Sequence, residues 1–281
     1  MATLGRLKDM SLPFIVEAEE LQKHLADKSL LLVDLCSAEK YREGHIAGAV
    51  HLDVALLMGG EKPAVGLLPT VEKLSTVFAS IGLTPDKQVV CYDEGDGVSA
   101  GRLIWTLDVI GHTQASFLNG GKTAWLAEGF SLELQENIPL PATLRALTVD
   151  ARYLATAQDI LTHQFDADFL VWDARSHDEY TGAKMVSARG GHIPGAIHCE
   201  GKDVLDAGNG SRLRKDLADF LQSKGITPDK NIVMHCQTHR RSALAYVAAK
   251  SLGYPRIAAY AGSWSEWGND QQLPIHTGES P

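Results

Sequence analysis

Short apolar runs that end on a polar or acidic residue alternate along the chain with stretches of helical period. In the second half, Leu170-Val-Trp-Asp173 reads as a short buried strand ending on an acid. Lys230 to His235 reads as another, β-branched and set behind a Pro-Asp turn. Ala243, Leu244, Val247, Ala248 and Leu252 then fall on one face of a helix that begins near Ser242 and is closed by Gly253 and Pro255. Buried strands that alternate with helices predict an α/β fold, a mostly parallel sheet flanked by helices on both faces.

The pattern occurs twice. Leu32-Val-Asp34, Tyr41 and Gly44-His-Ile-Ala-Gly-Ala-Val-His51 answer to Val171-Trp-Asp173, Tyr180 and Gly191-His-Ile-Pro-Gly-Ala-Ile-His198. Gly82-Leu-Thr-Pro-Asp-Lys-Gln-Val-Val90 answers to Gly225-Ile-Thr-Pro-Asp-Lys-Asn-Ile-Val233, and Asn119-Gly-Gly-Lys-Thr-Ala-Trp125 more weakly to Ala261-Gly-Ser-Trp-Ser-Glu-Trp267. The order is the same and the period is roughly 140 residues, far above that of solenoid repeats. The chain is therefore expected to hold a duplicated domain, residues 1–135 and 148–281, joined by a linker over 136–147 where Pro139 and Pro141 interrupt both strand and helix patterns.

One residue in the second copy stands out. The apolar run Ile232-Val-Met234 stops at His235-Cys236, the polar and basic Gln237-Thr238-His239-Arg240-Arg241 follows, and the helix begins. A thiol between a strand end and a helix N-terminus meets backbone N–H groups and the positive end of the helix dipole. With basic side chains beside it, Cys236 is expected to ionise readily and to act as the nucleophile, and the same field would hold an anionic substrate. Continuing the repeat past Thr-Pro-Asp-Lys sets Asp93 opposite Cys236, Gly97 opposite Arg240 and Val98 opposite Arg241. The first copy keeps the framework without the chemistry and reads as non-catalytic. Strand alternation turns His235 away from Cys236, whereas His239 is expected to meet solvent or substrate. His45 and His192, like Asp34 and Asp173, occur in both copies and read as architectural.

Composition adds exclusions. Of the four cysteines, Cys36, Cys91 and Cys199 lack basic neighbours and read as small buried hydrophobes, and no C-x-x-C spacing suggests zinc. A net charge of −9 argues against general nucleic-acid binding. No window has the roughly 18 apolar residues of a membrane span, and Met1 to Met10 lacks the apolar core of a secretory signal. A cytoplasmic protein is expected.

Gly191-His-Ile-Pro-Gly-Ala196, the His235-Cys236 loop and Ala261-Gly-Ser-Trp-Ser-Glu-Trp267, in that order and behind an inactive tandem copy, resemble the two-domain sulfurtransferases of the rhodanese family. The resemblance covers nearly the whole chain, and the first copy departs from it at Ala47, where the second has Pro194. It implies ping-pong sulfur transfer: Cys236 takes the sulfane sulfur of a small anionic donor as a persulfide, and a thiophilic acceptor, cyanide or a thiol, removes it. No metal or organic cofactor is implied. Family members that prefer 3-mercaptopyruvate resemble one another in a small Gly/Ser-rich loop and in arginines before Gly-His-Ile-Pro-Gly. Here the loop is bulky and cationic, and Thr181 stands where one such arginine is expected. Thiosulfate is therefore the favoured donor, with Gln237, Thr238, His239, Arg240 and Arg241 as its binding loop. Arg189 and Lys184 are further anion ligands, and Trp264 is a candidate pocket wall. The expected signature is a raised KM for thiosulfate in Arg240→Ala. The bland reading of Arg241 is a salt bridge to Asp173 or Glu179. Three alternatives remain open: 3-mercaptopyruvate as donor, a persulfide carrier loaded by a desulfurase or working with a thioredoxin-like protein, and a cysteine phosphatase. The last needs arginine at position 242, which is serine.

Overall fold

The structure is a computed structural model that describes residues 12–143 and 147–281. The N-terminal stretch read for a secretory signal, and part of the expected linker, lie outside the described residues.

The first unit runs β1 (Ile15–Val16), α1 (Ala18–His24), β2 (Leu30–Asp34), α2 (Ala38–Glu43), β3 (Val50–His51), α3 (Val71–Ser80), β4 (Gln88–Tyr92), α4 (Val98–Val109), β5 (Ala115–Leu118) and α5 (Gly121–Ala127). The second runs β6 (Leu154–Ala155), α6 (Ala157–His163), β7 (Phe169–Asp173), α7 (His177–Thr181), β8 (Ile197–His198), β9 (Leu205–Asp206), β10 (Arg212–Leu213), α8 (Leu217–Ser223), β11 (Asn231–His235), α9 (Arg241–Ser251), β12 (Ile257–Tyr260) and α10 (Ser263–Trp267). Each unit forms a five-stranded, all-parallel sheet, β1-β5-β4-β2-β3 and β6-β12-β11-β7-β8. The two orders coincide position by position, and the register matches too, with Asp34 beside Tyr92 and Asp173 beside His235.

Central strands covered on both faces need no alternation, so β4 is buried throughout and β11 almost throughout. Helix starts are written into the sequence: Ser37 and Thr70 cap α2 and α3, and Thr156 and Ser176 form capping boxes with Asp159 and Glu179. The outer face of each sheet carries its own apolar cluster, around Trp125 in the first unit and Trp264 and Trp267 in the second. The inner faces share one core, in which Leu103, Ile104 and Leu107 of α4 join Leu244, Val247 and Ala248 of α9. Gly101 permits this approach, because a Cβ there would lie 2.7 Å from the Ala243 carbonyl oxygen.

The antiparallel ribbon β9–β10 is absent from the sequence reading, since two-residue strands carry no periodicity. It reaches across to the first unit, where the Leu213 amide donates to Asn119 Oδ1 (2.8 Å) and Arg212 pairs with Glu17 and Glu128.

Candidate active site

Cys236 lies at the carboxyl end of β11, a central strand of its sheet, where parallel α/β sheets place ligands. Two carbonyls at the start of the loop are engaged by the amides of α10. Trp264 N–H donates to Cys236 O (2.9 Å) and Ser265 N–H to Gln237 O (3.0 Å). The chain then re-enters α9 through His239, a non-glycine residue at φ 52°. Side chains around it hold that uncommon conformation.

Burial alone would raise the Cys236 thiol. Arg241, the hydroxyl and amide of Ser242 and the amide of Thr238 act against it and hold the thiol below its ordinary value. The other three cysteines go the opposite way: burial pushes Cys199 up to about 12 and lifts Cys36 and Cys91 well above the ordinary thiol value. The reading of these three as small buried hydrophobes agrees with that environment.

Ser242 is a participant that the sequence reading missed. Its Oγ lies 2.8 Å from His239 Nδ1. Burial, with the charge of Arg102 adding to it, keeps His239 neutral, and its Nε2 has no partner among the described residues. For the Ser242 hydroxyl to donate to the sulfur, Oγ must accept from Nδ1–H, which assigns the His239 proton to Nδ1. Serine at a helix start also serves as an ordinary capping residue, so nothing local in the sequence marks this use.

The predicted anion ligands divide. Arg241 donates twice to the buried Glu179, at 2.6 and 3.0 Å, and still exerts the strongest ionising influence on Cys236. The salt bridge and the electrostatic role are thus held by one side chain. Arg240 instead crosses the interface to Ser99 Oγ (2.8 Å) in the first turn of α4. The expectation that His239 meets solvent is corrected: its ring is fully buried against Trp105, with centroids 4.4 Å apart. Arg189 is corrected as well. Its guanidinium donates to the carbonyls of Leu273 (2.8 Å), Trp267 (2.9 Å) and Asp270, so it secures the C-terminal segment. Trp264 is buried, donates to Arg189 O and carries Arg175 over its ring at 4.1 Å, which makes it core. Lys184 is exposed. Gln237 and Thr238 remain half-buried beside the sulfur, and Gln237 Nε2 donates to Ser187 Oγ (3.1 Å).

The architectural residues behave alike in both units. His45 stacks on Tyr41 and His192 on Tyr180, with centroids 3.8 and 3.7 Å apart. Asp34 accepts from Cys36 N–H (2.7 Å) and Asp173 from Arg175 N–H (3.0 Å). His235 is buried between the Cys236 carbonyl and Asp173.

In the first unit the same loop is closed on itself. The Asp93 carboxylate accepts from the amides of Gly95, Gly97, Ser99 and Ala100 at 3.0 to 3.1 Å. An amide cradle of this kind binds an anion, and here the chain supplies one of its own. Among the described residues no group of His, Cys, Asp or Glu side chains is arranged to hold a metal ion.

The chain is similar to known proteins over nearly its whole length. The rhodanese-like domain matches twice, over residues 17–128 and 156–270. A thiosulfate sulfurtransferase of Azotobacter vinelandii is 47% identical, and one of Pseudomonas aeruginosa 44%, each alignment covering 94% of this chain and 97% of the relative. A 3-mercaptopyruvate sulfurtransferase of Escherichia coli K12 is 27% identical over 95% of this chain and 99% of its own. Among solved structures, an anaerobic ergothioneine biosynthesis enzyme from Chlorobium limicola superposes with a TM-score of 0.85 at 24% identity, covering 95% of this chain and 70% of that one, a likeness of fold.

Proposed function

This chain belongs to the rhodanese family, and we propose that it is a thiosulfate sulfurtransferase that carries sulfur on Cys236. The supporting observation is a buried cysteine whose thiol is held below its ordinary value while the other three are pushed above theirs. The Cys236 thiolate attacks the outer sulfur of thiosulfate, the S–S bond of the donor breaks, and sulfite leaves with the bonding pair. Cys236 then carries a persulfide whose terminal sulfur is anionic. Cyanide or a thiolate attacks that sulfur, the new S–S bond breaks, and the Cys236 thiolate returns. Splitting one transfer into two displacements is the advantage of a covalent intermediate. The amides of Thr238 and Ser242 serve the thiolate and the persulfide as an oxyanion hole serves oxygen.

In this reading residues 148–281 form the catalytic domain, residues 1–135 a non-catalytic one and 136–147 their linker. Gln237 and Thr238 meet the donor, and Arg241 offsets its charge. The site of action is the cytoplasm; no described helix is long and apolar enough to cross a membrane. A desulfurase or a thioredoxin-like protein is a partner only if small donors fail.

The test is thiocyanate formation from cyanide, with thiosulfate and 3-mercaptopyruvate in parallel, on the wild-type chain and Cys236→Ala. A severalfold preference for thiosulfate in kcat/KM, lost in the variant, is the expected result. A preference for mercaptopyruvate refutes the donor assignment. Inactivity with both donors refutes the small-molecule role.

A further inference from the structure

Arg102 is a fully buried guanidinium in α4, a helix buried along almost its whole length. It forms no ion pair among the described residues. Its Nη2 donates to the carbonyls of Leu57 (2.7 Å) and Gly66 (2.9 Å), and its Nη1 donates across the interface to the carbonyl of His239 (3.3 Å). The guanidinium carbon sits 4.7 Å from the centroid of Trp105, the same ring that the edge of His239 meets. Gly66 is itself pressed on the active-site loop, since a Cβ there would lie 2.6 Å from Thr238 O and 2.4 Å from Ala261 O. One side chain of the first domain therefore clamps its own 57–66 segment and the turn of the sulfur-bearing loop together.

A buried cation without a carboxylate partner is costly to keep, because neutral carbonyls replace only part of its hydration. The charges acting on it are Cys236, which favours it, and Arg240, which opposes it; His239 is neutral. We propose that Arg102 is a positioning residue of the sulfur-transfer site, holding the His239 turn in place and serving as the interdomain counter-ion of the Cys236 anion. The assignment rests on Cys236 being the nucleophile and gives the non-catalytic domain a definite part in the chemistry. Burial pulls Arg102 down to about 9, and the Cys236 thiolate acts to restore it. By reciprocity, the protonated guanidinium favours the thiolate. Arg241 is the strongest ionising influence on the sulfur, and the Arg102 contribution follows from the effect of Cys236 on the guanidinium.

The test reads the thiol directly. Iodoacetamide alkylation of Cys236, localised by peptide mass, is followed from about pH 5 to pH 10 in the full-length wild type, Arg102→Met and Arg102→Lys, alongside thermal unfolding and thiosulfate kinetics. The methionine variant should move the alkylation inflection up by about one pH unit and lower kcat about tenfold, with KM changed less than about threefold. The lysine variant, which keeps the charge, should stay within about 0.3 unit of wild type. A merely structural role would lower the melting temperature and leave the inflection in place. A folded methionine variant with the wild-type inflection overturns the proposal. If the methionine variant does not fold, a lysine variant displaced upward by a full unit overturns it instead. Thiosulfate turnover by the wild type judges the sulfurtransferase reading separately, because alkylation needs no turnover.

Discussion

Replacing Arg241 by glutamine removes two things at once, and their magnitudes can be set from the geometry. The first is the pair with Glu179, whose side chain is only 5% exposed while that of Arg241 is 32% exposed. Burial raises Glu179, yet Arg241 and Ser176 together bring its carboxyl from 4.5 down to about 2. That depression corresponds to about 3 kcal/mol. Ser176 donates through both N–H and Oγ and keeps a share, so roughly 2 kcal/mol falls to Arg241. An acid with a depressed value contributes stability that is present above its unfolded value and lost as pH falls through the folded one. The wild type should therefore lose this contribution between about pH 4.5 and pH 2, and the variant, which lacks the Arg241 share, should lose less over that range. The second loss is the charge beside Cys236. A hydrogen bond or close contact to a charged group contributes about 1.5–3 kcal/mol, so the thiol should rise by about one to two pH units. The kcat/KM for thiosulfate should fall about 10- to 100-fold. Alkylation of Cys236 against pH gives the thiol value, urea unfolding at neutral and acid pH gives the stability limb, and thiocyanate formation gives the rate. Arg240→Ala is the comparator: its guanidinium is turned to Ser99, so the rise in KM expected from the loop sequence should stay under about threefold. An unmoved alkylation inflection in Arg241→Gln, or an Arg240→Ala variant as impaired as Arg241→Gln, would refute the electrostatic account of the site.

Two further changes test the supports of the sulfur. Ser242→Ala removes one hydroxyl between His239 and Cys236, and the alkylation inflection should rise by about one unit with little change in KM; an unchanged inflection would remove Ser242 from the site. Gly101→Ala places a methyl group against the Ala243 carbonyl, where the neighbour is backbone and cannot rotate away. Forcing α4 from α9 should destabilise by about 1–3 kcal/mol and lower the melting temperature by several degrees. Calorimetry that finds no loss would show that the two helices separate freely.

What the sequence revealed of this molecule follows the range of the forces involved. Strand runs such as Leu170 to Asp173 and the helical face from Ala243 to Leu252 are local, and the structure places them within a residue or two of the expected positions. The cysteine between strand and helix was legible for the same reason, because a strand end followed by a polar loop and a helix start brings backbone amides to the sulfur from one short segment of chain. The destinations of long side chains were not legible. Arg240 and Arg241 look like twin anion ligands on paper. Consecutive residues at a helix start point roughly 100° apart, so one meets Glu179 on α7 and the other meets Ser99 on the first domain. Arg189 lies next to Gly190-Gly191 in a segment that suggested substrate binding, yet the nearby carbonyls of Trp267, Asp270 and Leu273 engage both of its terminal nitrogens. His239 was expected at the surface because loops usually are exposed; the first domain covers this one.

The duplication explains why the second domain needs the first. Both copies turn the ends of equivalent strands into a ring of amides, and such a ring requires an anion. In the first copy Asp93 meets that requirement from the chain itself, although burial pushes its carboxyl up to about 6. In the second the anion is a thiolate whose burial disfavours its charge, so the compensation must come from cations brought close without exposing the sulfur. Arg241 is supplied locally by α9. Arg102 comes from α4, the helix that follows the Asp93 loop, so the copy that lost the thiol contributes a charge to the copy that kept it. A second-domain fragment made alone would expose the α9 face and lack Arg102. Its cysteine is therefore expected to ionise at higher pH than in the whole chain, for reasons that begin at the interdomain contact and end at the sulfur.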